Sequence, residues 1–262
     1  MIFKNNHFNL LQAISRKKHR KKIQINYINL PFSGKDVWTL YELSWLNYNG
    51  LPKIAIAQIE FDSNSINIIE SKSFKLYINS FNQIKFNQEI DFINTLTADL
   101  TRCICGDITV KIFDVDDIRN QKIASFHGIC IDKKDIQITS YKYNPSFLML
   151  SSKKKIIQEN LYTNLFKSNC PSTQQPDWAS IYISYNGFQI DHNSLLRYLI
   201  SFRMHNEFHE ECVERIFNDI QNICKPNKLS VYARYTRRGG IDINPWRSNT
   251  IFTPSLVRLS RQ

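Results

Sequence analysis

Apolar positions along the chain fall into strand-like and helix-like stretches. Ile54–Phe61 (IAIAQIEF) is short, apolar and rich in β-branched residues, which predicts a strand. Asp62-Ser63-Asn64-Ser65 reads as a turn. Ile66–Ile69 and Phe74–Ile78 read as a second extended stretch. In Asp91–Cys103 the residues Phe92, Ile93, Leu96 and Leu100 recur at helical spacing. Asp107–Val115 returns to strand, and another extended stretch lies near Ile129–Ile138. The second half repeats this order. Lys155–Phe166 reads as a helix and Ala179–Tyr185 as a strand. Asn186-Gly187 reads as a hairpin turn, with Phe188–Ile190 returning. Leu195–Cys224 is the longest helical pattern, broken near His205-Asn206. Cys212, Val213, Ile216, Phe217, Ile220 and Cys224 form its apolar face, and Pro226 ends it. Lys228–Tyr235 is again strand, and Arg238-Gly239-Gly240 is a turn. Residues 30–47 carry Trp38, Leu40, Tyr41, Leu43, Trp45 and Leu46, apolar enough to pack onto a core. The element order predicts an α+β chain in two halves, 1–135 and 136–262.

With 262 residues, 42% of them hydrophobic and 22% charged, the chain is globular in composition and can bury a core without disulfides. No apolar run approaches the roughly 20 residues of a membrane-spanning helix. The 7 glycines fall into neither a GxGxxG nor a GxxxxGK[ST] frame, which excludes those two phosphate-binding fingerprints. The net charge of +11 would attract anionic partners, although the bias toward Lys, Asn and Ile can equally reflect coding composition. The basic run Arg16–Lys22 reads as a solvated, mobile arm, with no aromatic residues interleaved to stack on bases. The first residues do not read as a signal peptide. The expected compartment is therefore the cytoplasm, where the six cysteines would be free, catalytic or metal-bound.

Four groups of residues could carry chemistry. Cys170 lies on a loop between Ser168-Asn169 and Pro171, with Asp177 seven residues on. A thiolate there could act as nucleophile and the carboxyl as general acid; a buried free cysteine and a turn-forming aspartate would look the same. In His205–Glu211 (HNEFHEE), Asn206 suits a helix cap and the acidic residues suit a first turn, which leaves His209 unaccounted for at the edge of the apolar face. Glu70 in Ile69–Lys75 is a surface charge beside lysines, or an acceptor for two N–H groups of a base with Ser71 and Lys72 near phosphate. Arg234, Arg237, Arg238, Gly239 and Gly240 suit phosphate binding or a basic turn. A zinc set of His205, His209, Cys212 and Cys170 has usable spacing but lacks any CxxC pair.

Together these residues resemble the NADPH-dependent 7-cyano-7-deazaguanine reductases of queuosine biosynthesis, in their long two-module form. The resemblance rests on WTLYELSWLN (38–47), IESKSFKLYINSF (69–81), KSNCPSTQQPDW (167–178), SFRMHNEFHEECVERIFNDI (201–220) and LSVYARYTRRGGIDINPWRS (229–248). It runs in one order from about Leu10 to Gln262. The lead before Leu10-Leu11-Gln12 is shorter than the family pattern.

The resemblance implies tandem T-fold modules, antiparallel sheets with helices on one face, the ESKS motif in the first and the catalytic cysteine in the second. It implies a homodimeric tRNA-modification enzyme that uses NADPH as co-substrate and no metal, binds a small-molecule substrate, and engages neither membrane nor nucleic acid directly. Cys170 matches the family nucleophile that captures the nitrile as a thioimide. Asp177 matches the proton donor, and His209 assists proton transfer and substrate contact. Ile69, Glu70, Ser71, Phe208, His209 and Glu210 match substrate-binding positions. Ser71, Lys72, Arg238 and Gly239 match NADPH-binding positions. The rival expectations are a zinc-dependent T-fold hydrolase of the GTP cyclohydrolase type and a non-catalytic tRNA-binding module.

Overall fold

The computed structural model describes residues 7–117, 122–255 and 258–262. The chain forms two compact units, and each takes a short piece of the other's sequence. The first comprises Met1–Asn29, Val37–Gln121 and Arg237–Asp242; the second comprises Leu30–Asp36, Lys122–Thr236 and Ile243–Gln262.

In the first unit, β1 (Ala13–Ser15) leads into α1 (Arg16–Lys22). Then come β2 (Ser33–Leu46, its first residues in the second unit), β3 (Pro52–Asp62), β4 (Asn67–Ile69), α2 (Ser71–Asn79), α3 (Glu89–Ile104) and β5 (Ile108–Phe113). The strands lie in the order β5-β3-β2, with β3 and β5 antiparallel from Ile56↔Phe113 to Phe61↔Ile108. β1 pairs with β4 in a separate ribbon, Ala13 opposite Ile69. An aromatic core fills the unit. Trp38 meets Phe61 and Phe74 edge-on, and Trp45 stacks on Phe92 at 4.6 Å.

The second unit contains β6 (Ile129–Cys130), β7 (Ile156–Asn169), β8 (Pro176–Phe188), α4 (His192–Ile200), α5 (His209–Cys224), β9 (Lys228–Tyr235) and most of β10 (Ile241–Ser248). The strand order is β10-β9-β8-β7-β6, antiparallel except for the two-residue β6 alongside β7. On one face, Ala179, Ile181 and Ile183 of β8 and Leu229, Val231 and Ala233 of β9 are buried. This is the period-two pattern of a strand with one face on a core. Val213, Ile216, Phe217 and Ile220 of α5 are fully buried at helical spacing and complete that core. The α+β class with antiparallel strands and packed helices is the one expected from the sequence.

Several local expectations are corrected. Phe74–Ile78 is helical, with Phe74, Tyr77 and Ile78 on the buried face of α2. Residues 156–166 are strand. Their inward positions include polar Glu159 and Thr163, and a bulge between Thr163 and Phe166 inserts an extra residue. Asp132 satisfies the bulge, accepting from Thr163 Oγ1 at 2.6 Å and from the Asn164 backbone N–H at 3.1 Å. Asn186-Gly187 is not a turn; β8 runs through it to Phe188, and a Cβ on Gly187 would lie 2.8 Å from Pro226 Cα. Only Ile129–Cys130 of the stretch 129–138 is strand. The basic run 16–22 is helix rather than a mobile arm. Arg16, His19 and Arg20 are buried, with Arg20 donating to Ser63 O at 2.7 Å.

Candidate active site

The β7–β8 hairpin places the cysteine loop. Ser168 pairs with Asp177 and Asn169 with Pro176, so residues 170–175 form the connection. It is pinned from within, since Cys170 N–H donates to Gln175 O and Gln174 N–H donates to Cys170 O, both at 2.9 Å. Gln174 takes a left-handed φ of 57° to close it. By strand alternation Ser168 and Asp177 share the face that meets α5, and Cys170 follows Ser168 two residues on. Cys170 is 5% exposed and Asp177 6%.

His209 is the first residue of α5, and its Nε2 lies 3.2 Å from Asp177 Oδ2. Its ring stacks on Tyr235 at 3.9 Å between centroids, 28° from parallel. Burial, then the nearby Cys212 and Asp177, raises the Tyr235 phenol well above its ordinary pKa. Burial and then Glu207 do the same to the Cys212 thiol. Both therefore stay neutral beneath the aspartate–histidine pair. Lys167 reaches Asn169 Oδ1 at 2.6 Å and the Arg203 carbonyl at 2.8 Å. Burial and then Arg203 lower its pKa while Asp177 opposes the shift, so its ammonium is within electrostatic reach of that carboxylate. Phe208 sits at the N-cap of α5, and Glu210 is buried in the first turn, where the helix dipole favours a carboxylate. The second unit thus gathers Asp177, Phe208, His209 and Glu210 beside the loop that carries Cys170.

The first unit gathers the other expected residues. Ile69 is buried at the end of β4. Glu70 is the N-cap of α2; its two oxygens accept from Lys72 N–H at 3.0 Å and Ser73 N–H at 2.7 Å. Ser71 and Lys72 begin that helix. The Arg238-Gly239-Gly240 turn lies against the same helix, because a Cβ on Gly239 would come 3.2 Å from Lys75 Cδ. Gly239 and Gly240 have φ of 62° and 70°, so glycine fits here at no steric cost. Arg237 covers the Tyr41 ring at 4.1 Å, and Tyr41 donates to Asp242 at 2.7 Å. Lys72, Lys75, Arg237 and Arg238 gather in this unit, with the Glu42 carboxylate against Gly240.

His205 turns its Nε2 to Glu207 Oε2 at 3.0 Å, whereas His209 turns to Asp177. The two imidazoles of the zinc expectation therefore serve different carboxylates. Tyr235 and Lys75 are not among the residues expected from the sequence, and Glu207, expected in the first turn of α5 behind an Asn206 cap, instead precedes the Phe208 N-cap. Lys75 carried a signal, since it stands one helical turn after Lys72. Tyr235 carried none, because its place under His209 depends on how β9 pairs with β8.

A family model described as "Nitrile reductase, 7-cyano-7-deazaguanine-reductase N-term" matches residues 4–112, and one described as "QueF-like protein" matches residues 176–251. The chain is 74% identical over 262 residues, the whole of both proteins, to the NADPH-dependent 7-cyano-7-deazaguanine reductase of Buchnera aphidicola subsp. Schizaphis graminum (strain Sg). Among solved structures, the apo archaeosine synthase QueF-Like is 14% identical and matches 37% of this chain and 96% of its own, with a TM-score of 0.32.

Proposed function

The chain belongs to the NADPH-dependent 7-cyano-7-deazaguanine reductases, and from that premise we propose that it reduces the nitrile of 7-cyano-7-deazaguanine to the aminomethyl group through a thioimide on Cys170. It is a nitrile reductase, an enzyme of the queuosine route. In the proposed mechanism the Cys170 sulfur adds to the nitrile carbon, forming a C–S bond and leaving a C=N bond. The nitrogen takes a proton from Asp177, whose carboxyl His209 contacts and can reprotonate. NADPH, when bound, supplies hydride. One hydride reaches the thioimide carbon and the C–S bond breaks, returning the thiolate; a second hydride and proton complete the amine. Two NADPH and two protons are consumed for each nitrile.

Covalent capture suits a weak electrophile because it divides one hard reduction into easier steps. Proton donation to the nitrogen avoids a bare anion there. Glu70 and Glu210 are assigned to the purine-like edge of the substrate and Phe208 to its ring face. The residues assigned to NADPH fit an anionic ligand. Ser71 and Lys72 open α2, and the Gly239-Gly240 backbone, left-handed at both residues, turns beside Lys75.

The single observation carrying the reading is the Asp177–His209 pair at 3.2 Å, with Asp177 in ladder register with Ser168 on the strand that leads into Cys170. The test follows NADPH oxidation with and without 7-cyano-7-deazaguanine in wild type and Cys170→Ala. Substrate-dependent oxidation in the wild type alone is expected. Activity retained in Cys170→Ala would reject the nucleophile.

A further inference from the structure

We propose that Glu207 is a positioning residue that, through Arg215, fixes the catalytic histidine relative to the cysteine loop; this rests on the reading given above. Glu207 is buried, and Arg215 grips it with two nitrogens, Nε to Oε2 at 2.8 Å and Nη2 to Oε1 at 2.5 Å. His205 Nε2 lies 3.0 Å from the same Oε2. The backbone around Glu207 is stitched to the residue before the nucleophile. Asn169 N–H donates to His205 O at 2.8 Å, and Glu207 N–H donates to Asn169 O at 3.1 Å. Two residues further on, His209 begins α5 and meets Asp177.

The other end of the pair is anchored within α5. Arg215 lies over the Tyr143 ring at 4.9 Å. Tyr143 donates to Asp219 at 2.8 Å, as does Tyr198 at 2.5 Å. Burial opposes the charge on Arg215, yet hydrogen bonding and attraction from Glu207, followed by Tyr143, hold its pKa above the ordinary value. The pair stays ionised and bidentate, a geometry that restricts orientation as well as distance. Glu207 therefore ties α5 to the segment entering it through its carboxylate, and that segment to the end of β7 through its backbone. Small misplacements of reacting groups cost far more in rate than in binding.

The experiment measures single-turnover capture of 7-cyano-7-deazaguanine without NADPH, by quenched flow and intact-protein mass, in wild type, Glu207→Gln and Arg215→Lys. For Glu207→Gln the expected result is a capture rate constant reduced at least about tenfold, with one adduct per chain still reached, and, in a separate steady-state assay, an unchanged KM for NADPH. Arg215→Lys should fall between the two, and it carries the test if Glu207→Gln does not fold. A residue that only supported folding would lower the fraction of chains captured and leave the rate constant alone; that result, or wild-type rates in a folded variant, overturns the proposal. Absence of any adduct in the wild type would instead overturn the thioimide reading and this proposal with it.

Discussion

Arg247 is wholly buried between two acids, 2.8 Å from Asp36 Oδ1 and 2.9 Å from Glu214 Oε1. Burial opposes its charge, but the pull of Asp36 and then Glu214 holds its pKa above the ordinary value. Arg247→Met would leave two buried carboxylates with no cation between them. Breaking a buried ion pair in this way costs about 3–5 kcal/mol, so the urea midpoint of Arg247→Met should fall sharply; a midpoint equal to wild type would show that the triad contributes no net stability. Thiols give a second residue-scale prediction. Burial, then neighbouring Cys105, pushes Cys103 up to about 11, and burial pushes Cys224 up to about 11, from an ordinary 9.0. The folded state therefore holds these protons more tightly than the unfolded chain does. Their contribution to stability is complete below about pH 9 and is lost as pH rises toward 11. Burial raises Tyr143 and Tyr185 as well, with the same sign. Thermal melting temperature should fall across this window, and a flat profile would count against the burial of these groups.

At the scale of elements, Glu70 combines two roles that must be separated. It caps α2 with both carboxylate oxygens, and the proposed function also gives it the edge of the substrate base. Asp191 makes a plain comparison, since it caps α4 by accepting from Ser194 N–H at 2.7 Å and has no proposed substrate role. Each loss of a cap should cost about 1 kcal/mol. Asp191→Ala should thus lower the melting temperature and leave kcat/KM unchanged, whereas Glu70→Leu should lower both. Equal kinetic effects would mean that Glu70 acts only as a cap. The same elements explain what could be read in advance. The face of α5 was legible because six apolar positions keep one helical period from Cys212 to Cys224. Residues 156–166 do not read as strand because two of their inward positions before the bulge are polar, Glu159 and Thr163, so apolar residues do not alternate. Phe74–Ile78 was misread because the capping acceptor that starts the helix is a glutamate, which is not among the favoured capping residues.

Across the whole molecule, the residues proposed to be catalytic stand out in the sequence because they are close in sequence or fixed by one hairpin and one helix start. Tyr235 and Arg247 were not legible, since their places depend on pairings between distant segments. The unit boundaries share that property. The second unit includes 30–36, whose Asp36 faces Arg247, and Gly34 lies so close to the Trp246 carbonyl that no Cβ could be accommodated. The first unit includes 237–242, whose Gly240 carbonyl accepts from Tyr41 N–H at 2.9 Å. A cut between residues 135 and 136 therefore takes Asp36 from Arg247 and the Arg238-Gly239 turn from α2. Neither fragment alone retains the contacts of its own unit, and one buried arginine loses an acid it was paired with. We expect 1–135 and 136–262, expressed separately, each to lack a dispersed amide NMR spectrum, and co-expression to recover substrate-dependent NADPH oxidation. A well-dispersed spectrum from either fragment would show that the borrowed segment is dispensable and that the unit folds from its contiguous sequence alone.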